Sequence, residues 1–446
     1  MATADKLATN MGWSAFSKAS DLKKRLWFTL GALIVYRLGT FIPIPGIDQT
    51  VFADMFKQAG GLLEMFNMLA GGAVERMTIF ALNIMPYISA SIIMQLMTAV
   101  SPKMEQLRKE GEAGRKKINQ YTRYGTVILA ALQAYGIAVG LEGMQSSAGS
   151  VVAAPGMFFR ASVVITLVGG TLFLMWLGEQ ITARGVGNGI SLIIFAGIIA
   201  TMPGSIVQLL ESGRKGDKSG LEIVVLLALT LAVIAFVVFV ERAQRRIVVQ
   251  YPKRQMGNRM TGGEVSHIPL KLNTSGVIPP IFASSLLLLP TTLATFQGTS
   301  DAAWMSWIGA NFGRGQPLFL IVYLALIAFF AFFYTAIVFN PQDTAENLRK
   351  YGGFVPGIRP GKNTADHFDH VLTRITTIGA LYLCVVCALP EVLIREFAVP
   401  FYLGGTSLLI VVSVTMDTTA QIQGYLLAHQ YEGLIKKSRL GKDRKR

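Results

Sequence analysis

Few residues in this 446-residue chain are spaced for chemistry, and they fall in three places. Asp366, His367, Asp369 and His370 bring two carboxylates and two imidazoles within five positions. Such a set could hold a divalent cation, although in a polar loop it reads first as a solvated charge cluster. Cys384 and Cys387 form a C-x-x-C inside an apolar run, where neither zinc nor a redox partner is expected and small buried side chains are the simpler reading. Asp417 lies near the end of another apolar run, and an ionisable group there is a functional candidate by default. It could carry a proton in a coupled transporter, or it could sit at the mouth of a water-filled vestibule. Its neighbours Thr415, Thr418, Thr419, Gln421 and Gln423 favour the vestibule, and no Lys, His or other carboxylate inside the runs offers it a relay partner. The four histidines, His267, His367, His370 and His429, all lie in polar segments, and no Walker loop, G-x-S-x-G or H-E-x-x-H occurs. These residues imply no catalytic reaction, no bound metal and no cofactor.

The elements that must position them are apolar. Hydrophobic residues make up 52% of the chain and charged residues only 15%, with mean hydropathy +0.47, outside the range of a soluble domain. Ten runs are long enough to cross about 30 Å of hydrocarbon as helix: 26–41, 77–100, 124–141, 161–181, 190–210, 221–240, 277–296, 318–339, 378–394 and 401–422. They lack the alternation of barrel strands, so the class is an all-α integral membrane protein. With ten spans, both termini share one side with every second loop. Of the 41 Lys and Arg residues, 32 fall in 1–25, 101–123, 182–188, 242–271, 341–374 and 424–446, which places that side in the cytosol. Most of the +15 net charge is therefore a topology signal. Lys23-Lys24-Arg25 precedes an uncleaved first span, since no small-residue cleavage site follows it.

Two sets of five spans meet at the polar linker 211–220, giving an N-terminal half, 1–215, and a C-terminal half, 216–446. An odd number of spans per half makes the second run inverted, and inverted repeats place the working site at their interface, near Gly/Pro-broken segments. Span two contains IMPYISAS (84–91) and span seven opens with GVIPPIFASS (276–285), a loose match that sets these two spans face to face. Ile84 and Ile88, four apart, share a helix face. They point either to lipid or into a narrow apolar collar that expels water and adds no charge. The stretch 60–73, flanked by glycine pairs, is too short to span and reads as a buried half-helix or a surface-lying amphipathic one. The loop 242–275 reads as a hairpin with a basic tip at Lys253, Arg254 and Arg259, and 341–376 carries Arg359 between two Pro-Gly turns. Two basic loops on one face make a dock for an acidic or RNA-rich partner.

The strings IPIPGID (42–48), EMFNMLAGGA (64–73), IMPYISASIIMQL (84–96), GRKKINQYTRYG (114–125), WLGEQITARGVGNGIS (176–191), ERAQRRIVVQY (241–251), FVPGIRPG (354–361) and PFYLGGTSLLIVV (400–412), in this order, resemble the SecY family of protein-translocon channel subunits. The resemblance runs from about residue 20 to 438. It implies an hourglass channel clamped behind spans five and six by SecE, with a SecG-type small subunit as a further partner, and with a seam between spans two and seven that opens to membrane lipid. It also implies a pore ring of Ile84, Ile88, Ile194, Ile281 and Ile410, and a plug at about 62–72 that includes Met65, Phe66, Asn67, Met68 and Leu69. Asn83, Ser89, Asn188 and Phe282 are the implied lateral-gate residues. Lys253, Arg254, Arg259 and Arg359 are the implied docking residues for the SecA motor or ribosomal RNA, and signal sequences and nascent chains are the implied cargo, in the bacterial inner membrane. Two positions depart from the family pattern: Asn83 stands where glycine is usual, and Asn258 where arginine is common.

Overall fold

The computed structural model describes residues 20–59, 67, 70–143, 145–146, 149–216, 219–252, 254–256, 259–261, 265–296, 316–397 and 405–443. Each apolar run overlaps a helix: α1 Ser20–Gly39, α3 Met85–Val100, α5 Glu112–Gly143, α6 Met157–Arg184, α7 Gly189–Arg214, α8 Gly220–Arg242, α9 Ile278–Phe296, α10 Pro317–Val338, α12 Lys362–Phe397 and α13 Gly405–Asp443. Three shorter helices, α2 Gln49–Ala59, α4 Pro102–Lys109 and α11 Pro341–Lys350, lie between them. Among the described residues six helices, α5, α6, α7, α8, α10 and α12, are long and apolar enough to cross a membrane, which makes this a multi-pass membrane protein. Their starts follow local chemistry. Asn188 caps α7, Ser219 and Glu222 form a reciprocal capping box on α8, and Asn340 caps α11 ahead of Pro341. Asp48 accepts from the hydroxyl and backbone N–H of Thr50 at the start of α2, and these bonds hold its carboxyl below the ordinary carboxylate range.

The second span differs from its sequence reading. The helix begins at Met85 rather than Met77, and its 16 residues reach about 24 Å, short of the hydrocarbon thickness. Pro86 sits in its first turn, and residues 70–84 ahead of it run in turns. Irregular backbone at membrane depth is tolerated only inside protein. Accordingly Ala73, Val74, Met77, Phe80, Leu82 and Ile84 are all buried. The backbone groups of this stretch find partners in the segment after α1: Ile44 N donates to Met77 O at 3.0 Å and Ile79 N to Ile42 O at 3.0 Å. Asn83 turns the chain with φ 49°, a left-handed conformation that glycine adopts freely and asparagine tolerates better than most residues. Asparagine in place of the glycine that the resemblance leads one to expect is therefore a conformationally conservative change.

Between α8 and α9 the chain forms an antiparallel ribbon of β3 (Gln244–Gln250) and β6 (Val265–Lys271), in register from Gln244↔Lys271 to Gln250↔Val265. Farther out, β4 (Arg254–Met256) pairs with β5 (Arg259–Thr261), while β1 (Gln145–Ser146) and β2 (Gly149–Ser150) pair between α5 and α6. One face of the ribbon, Ile247, Val249 and Leu270, packs with Leu348, Val355, Phe368, Val371, Leu372 and Ile375. The two basic loops thus share one hydrophobic core, separate from the membrane core and sealed by a two-bond bridge between Gln250 and Phe354. The Asp366–His370 cluster lies in the first turns of α12 rather than in a loop, with Phe368 in that core. Among the described residues no group of His, Cys, Asp and Glu is placed to hold a metal.

Candidate functional site: the seam between α3 and α9

The second span of each half meets the other directly. Helices α3 and α9 pack together, and Ser285 Oγ lies 3.6 Å from Met85 Sδ across the contact. Ser89, Asn83, Ser284 and Ser285 are all buried there or close by, which accounts for polar side chains in otherwise apolar runs: they face protein rather than lipid. Ser284 and Ser285 each bond back to Ile281 O, so neither hydroxyl is stranded. Phe282 meets α10, edge-on to Phe330 at 5.6 Å and to Tyr334 at 6.5 Å.

Of the five isoleucines, Ile84, Ile88, Ile194 and Ile410 are at most 6% exposed, and Ile281 is partly buried. All belong to, or pack against, one continuous core drawn from both halves. Of the candidate plug, Asn67 is described, while Met65, Phe66, Met68 and Leu69 lie outside the described residues. Asn67 is clasped to Glu75: its Oδ1 accepts from Glu75 N at 3.0 Å and its Nδ2 donates to Glu75 Oε2 at 3.3 Å. The segment that follows is held by α1, where Tyr36 Oη donates to Ala70 O and Arg37 to Gly71 O.

Asn188 stands apart from the α3–α9 contact. It accepts from Ile190 N at the start of α7 and faces a cavity of about 620 Å³ whose walls include Ser191, Glu241, Lys271, Asn273 and Asp417. Asp417 lies 3.6 Å from Lys271 Nζ, with both side chains more than half exposed. A solvated, paired carboxylate at the rim of a cavity is the vestibule arrangement and lacks the enclosure of a proton relay. Glu241 is a residue that sequence reasoning misses. Hydropathy ends span six at Val240, yet α8 continues to Arg242 and Glu241 is 8% exposed. Its one signal is a carboxylate placed a single residue beyond an apolar run.

Arg254 and Arg259 occupy the outer ribbon strands, on β4 opposite Thr261 and on β5 opposite Met256, while Lys253 and Asn258 lie outside the described residues. Arg359 is exposed in the turn ahead of α12, where its carbonyl accepts from Thr364 Oγ1. Cys384 and Cys387 are unbridged. Cys387 is buried and the Cys384 thiol approaches Leu324 O, as expected of small side chains packed in a helix.

Comparison with known proteins gives the same family as the motifs. The SecY family profile matches residues 78–419. The chain is 56% identical to protein translocase subunit SecY of Rickettsia typhi over 428 residues, 95% of this chain and 99% of that one. It is 54% identical to protein translocase subunit SecY of Escherichia coli K12 over 429 residues, 96% and 97% of the two chains. Among solved structures it superposes on a protein-conducting channel with TM-score 0.64 at 18% identity, covering 91% of this chain and 92% of the other. On Sec61 of the canine ribosome–channel complex the TM-score is 0.62 at 18% identity, with the same coverage. The chain belongs to the SecY family.

Proposed function

With that membership as premise, we propose that the chain is the protein-conducting channel of a bacterial translocon, passing unfolded secretory polypeptides across the cytoplasmic membrane and releasing apolar segments sideways into it. The observation that carries this reading is the α3–α9 contact, where Ser285 meets Met85, with Ser89 and Ser284 buried on the same helices and the isoleucine positions buried or partly buried. Small residues let helices approach closely without bulky interdigitation. Such a contact can part. Ile84, Ile88, Ile194, Ile281 and Ile410 form the constriction, and the segment through Asn67 closes it from the outer side.

A signal sequence or nascent span enters between α3 and α9 and samples lipid. Each Leu or Ile at mid-membrane gains about 0.3 to 0.6 kcal/mol and each Lys or Asp costs about 3 kcal/mol. Apolar segments therefore leave through the seam and the remainder thread the ring. The sequence has no nucleotide-binding loop, so direction comes from a SecA-type motor or a ribosome on the face that carries Arg254, Arg259 and Arg359, or from the membrane potential. SecE and SecG-type subunits complete the assembly, and both termini lie in the cytosol of a bacterium's inner membrane.

The test is crosslinking of a stalled secretory chain to cysteines placed at Ile88 and Ile281, in a background without Cys384 and Cys387. Adducts at both positions, and none at exposed Leu38 or Ile128, are expected. Equal labelling of all four, or labelling of the exposed pair alone, would refute the channel reading.

A further inference from the structure

The ribbon and α9 are joined by a short segment, and the joint has an unusual construction. Ribbon pairing ends where Leu272 N donates to Ala243 O at 2.9 Å. The next residue, Asn273, is 3% exposed and its amide is used on both sides. Nδ2 donates to Glu241 Oε1 at 2.7 Å and to Gly276 O at 3.1 Å, while Oδ1 accepts from Ser275 Oγ at 3.2 Å. A single amide thus ties the end of α8, the base of the ribbon and the lead-in to α9. The carboxylate that holds it is itself buried, so the bond to Glu241 is costly to leave unmade. From Gly276 the chain turns with φ 62° and enters α9, where Ile281, and then Ser285 against Met85, follow within ten residues.

We infer that Asn273, held by Glu241, is a positioning residue that couples displacement of the basic ribbon to displacement of α9, and so links partner docking to the seam. The inference rests on the channel reading above. The ribbon is a stiff two-stranded unit packed on its own core, and its direct covalent path to α9 is 272–277, a segment without helix or strand. Without the amide clasp that segment is a loose tether, and motion at the ribbon is absorbed there. With it, the three segments move together.

The experiment uses the full chain with its partner subunits in proteoliposomes. It measures motor affinity, ATP hydrolysis and precursor translocated, together with the spin-label distance between Val265 on the ribbon and Leu286 on α9. Asn273→Ala is expected to lower precursor translocated per ATP about fivefold or more, with motor affinity unchanged. In the same variant the distance between the two labels changes when the motor binds, because the ribbon moves alone; in the parent chain it holds. Glu241→Gln keeps an acceptor and retains most of the coupling, whereas Glu241→Ala behaves as Asn273→Ala, and the double variant is no worse than either. If Asn273→Ala does not fold, the Glu241→Ala and Glu241→Gln pair supplies the same contrast. A parent-like yield per ATP in Asn273→Ala, or a loss matched by an equal loss of motor affinity, overturns the inference. A parent chain that moves no precursor overturns instead the channel reading on which it rests.

Discussion

The starts of α3 and α9 use the same local device and are held by opposite means. Each helix opens with proline in its first turn, Pro86 in one and Pro279 with Pro280 in the other, and each follows a residue of positive φ, Asn83 and Gly276. At α3 the lead-in is gripped by close packing: Met77, Phe80, Leu82 and Ile84 are each at most 3% exposed, and α6 comes so near that a Cβ on Gly170 would stand 2.0 Å from Ile79 O. At α9 no described atom lies within 4 Å of a Cβ on Gly276, and the lead-in is held by the Glu241–Asn273–Ser275 hydrogen bonds beside a cavity. One side of the seam is set by volume, the other by a few directional bonds. Close packing resists displacement from every side, whereas a few directional bonds tie α9 to one neighbour, the ribbon, so on the proposed coupling α9 is the side that moves with it.

That contrast can be broken first at its sterically tight end. Gly170→Val drives a side chain into backbone that has nowhere to go, and a loss above about 4 kcal/mol is expected, seen as absence of a folded, protease-resistant species in detergent. Next come the isoleucines. If Ile84 and Ile88 were ordinary core, replacing either by glycine would cost about 2 to 5 kcal/mol. If they line a constriction, the double change instead raises ion conductance of the resting channel in planar bilayers, with a smaller drop in thermal midpoint. At the other end of the contrast, Gly276→Ala meets no described neighbour and bears only the left-handed backbone penalty, about 1 to 2 kcal/mol in thermal unfolding. The smallest effect is expected at Asp417→Asn, which removes an exposed pair with Lys271 and changes stability by less than about 0.5 kcal/mol with secretion intact. Abolished secretion there would revive the proton-coupled transporter.

Much of the frame is legible in the amino-acid sequence. Each apolar run overlaps a helix, because transfer into lipid is close to additive along a segment and needs no knowledge of neighbours. The polar residues of span two signal that it faces something other than lipid; Asn83 and Ser89 are buried, and the helix packs on α9. Other features are hidden. The break at Met85 escapes hydropathy because residues 77–84 are as apolar as a helix would be, and hydropathy does not distinguish backbone that is helical from backbone that is merely buried. The Asp366–His370 cluster reads as a loop because its charges outweigh its helical period, which is visible only once Phe368, Val371, Leu372 and Ile375 are seen to share a face.

What the amino-acid string determined by itself is therefore where the apolar segments fall, their expected orientation and the family, since each depends on composition within a window or on motifs in order. The tertiary structure alone decided that two basic loops form one body, that a carboxylate one residue past a span is buried, and that Asn273 reaches back 32 positions to hold it. Those are relations between residues far apart in the chain. Their energy comes from desolvation and directional bonding that exist only once packing has brought the groups together, so no local pattern announces them.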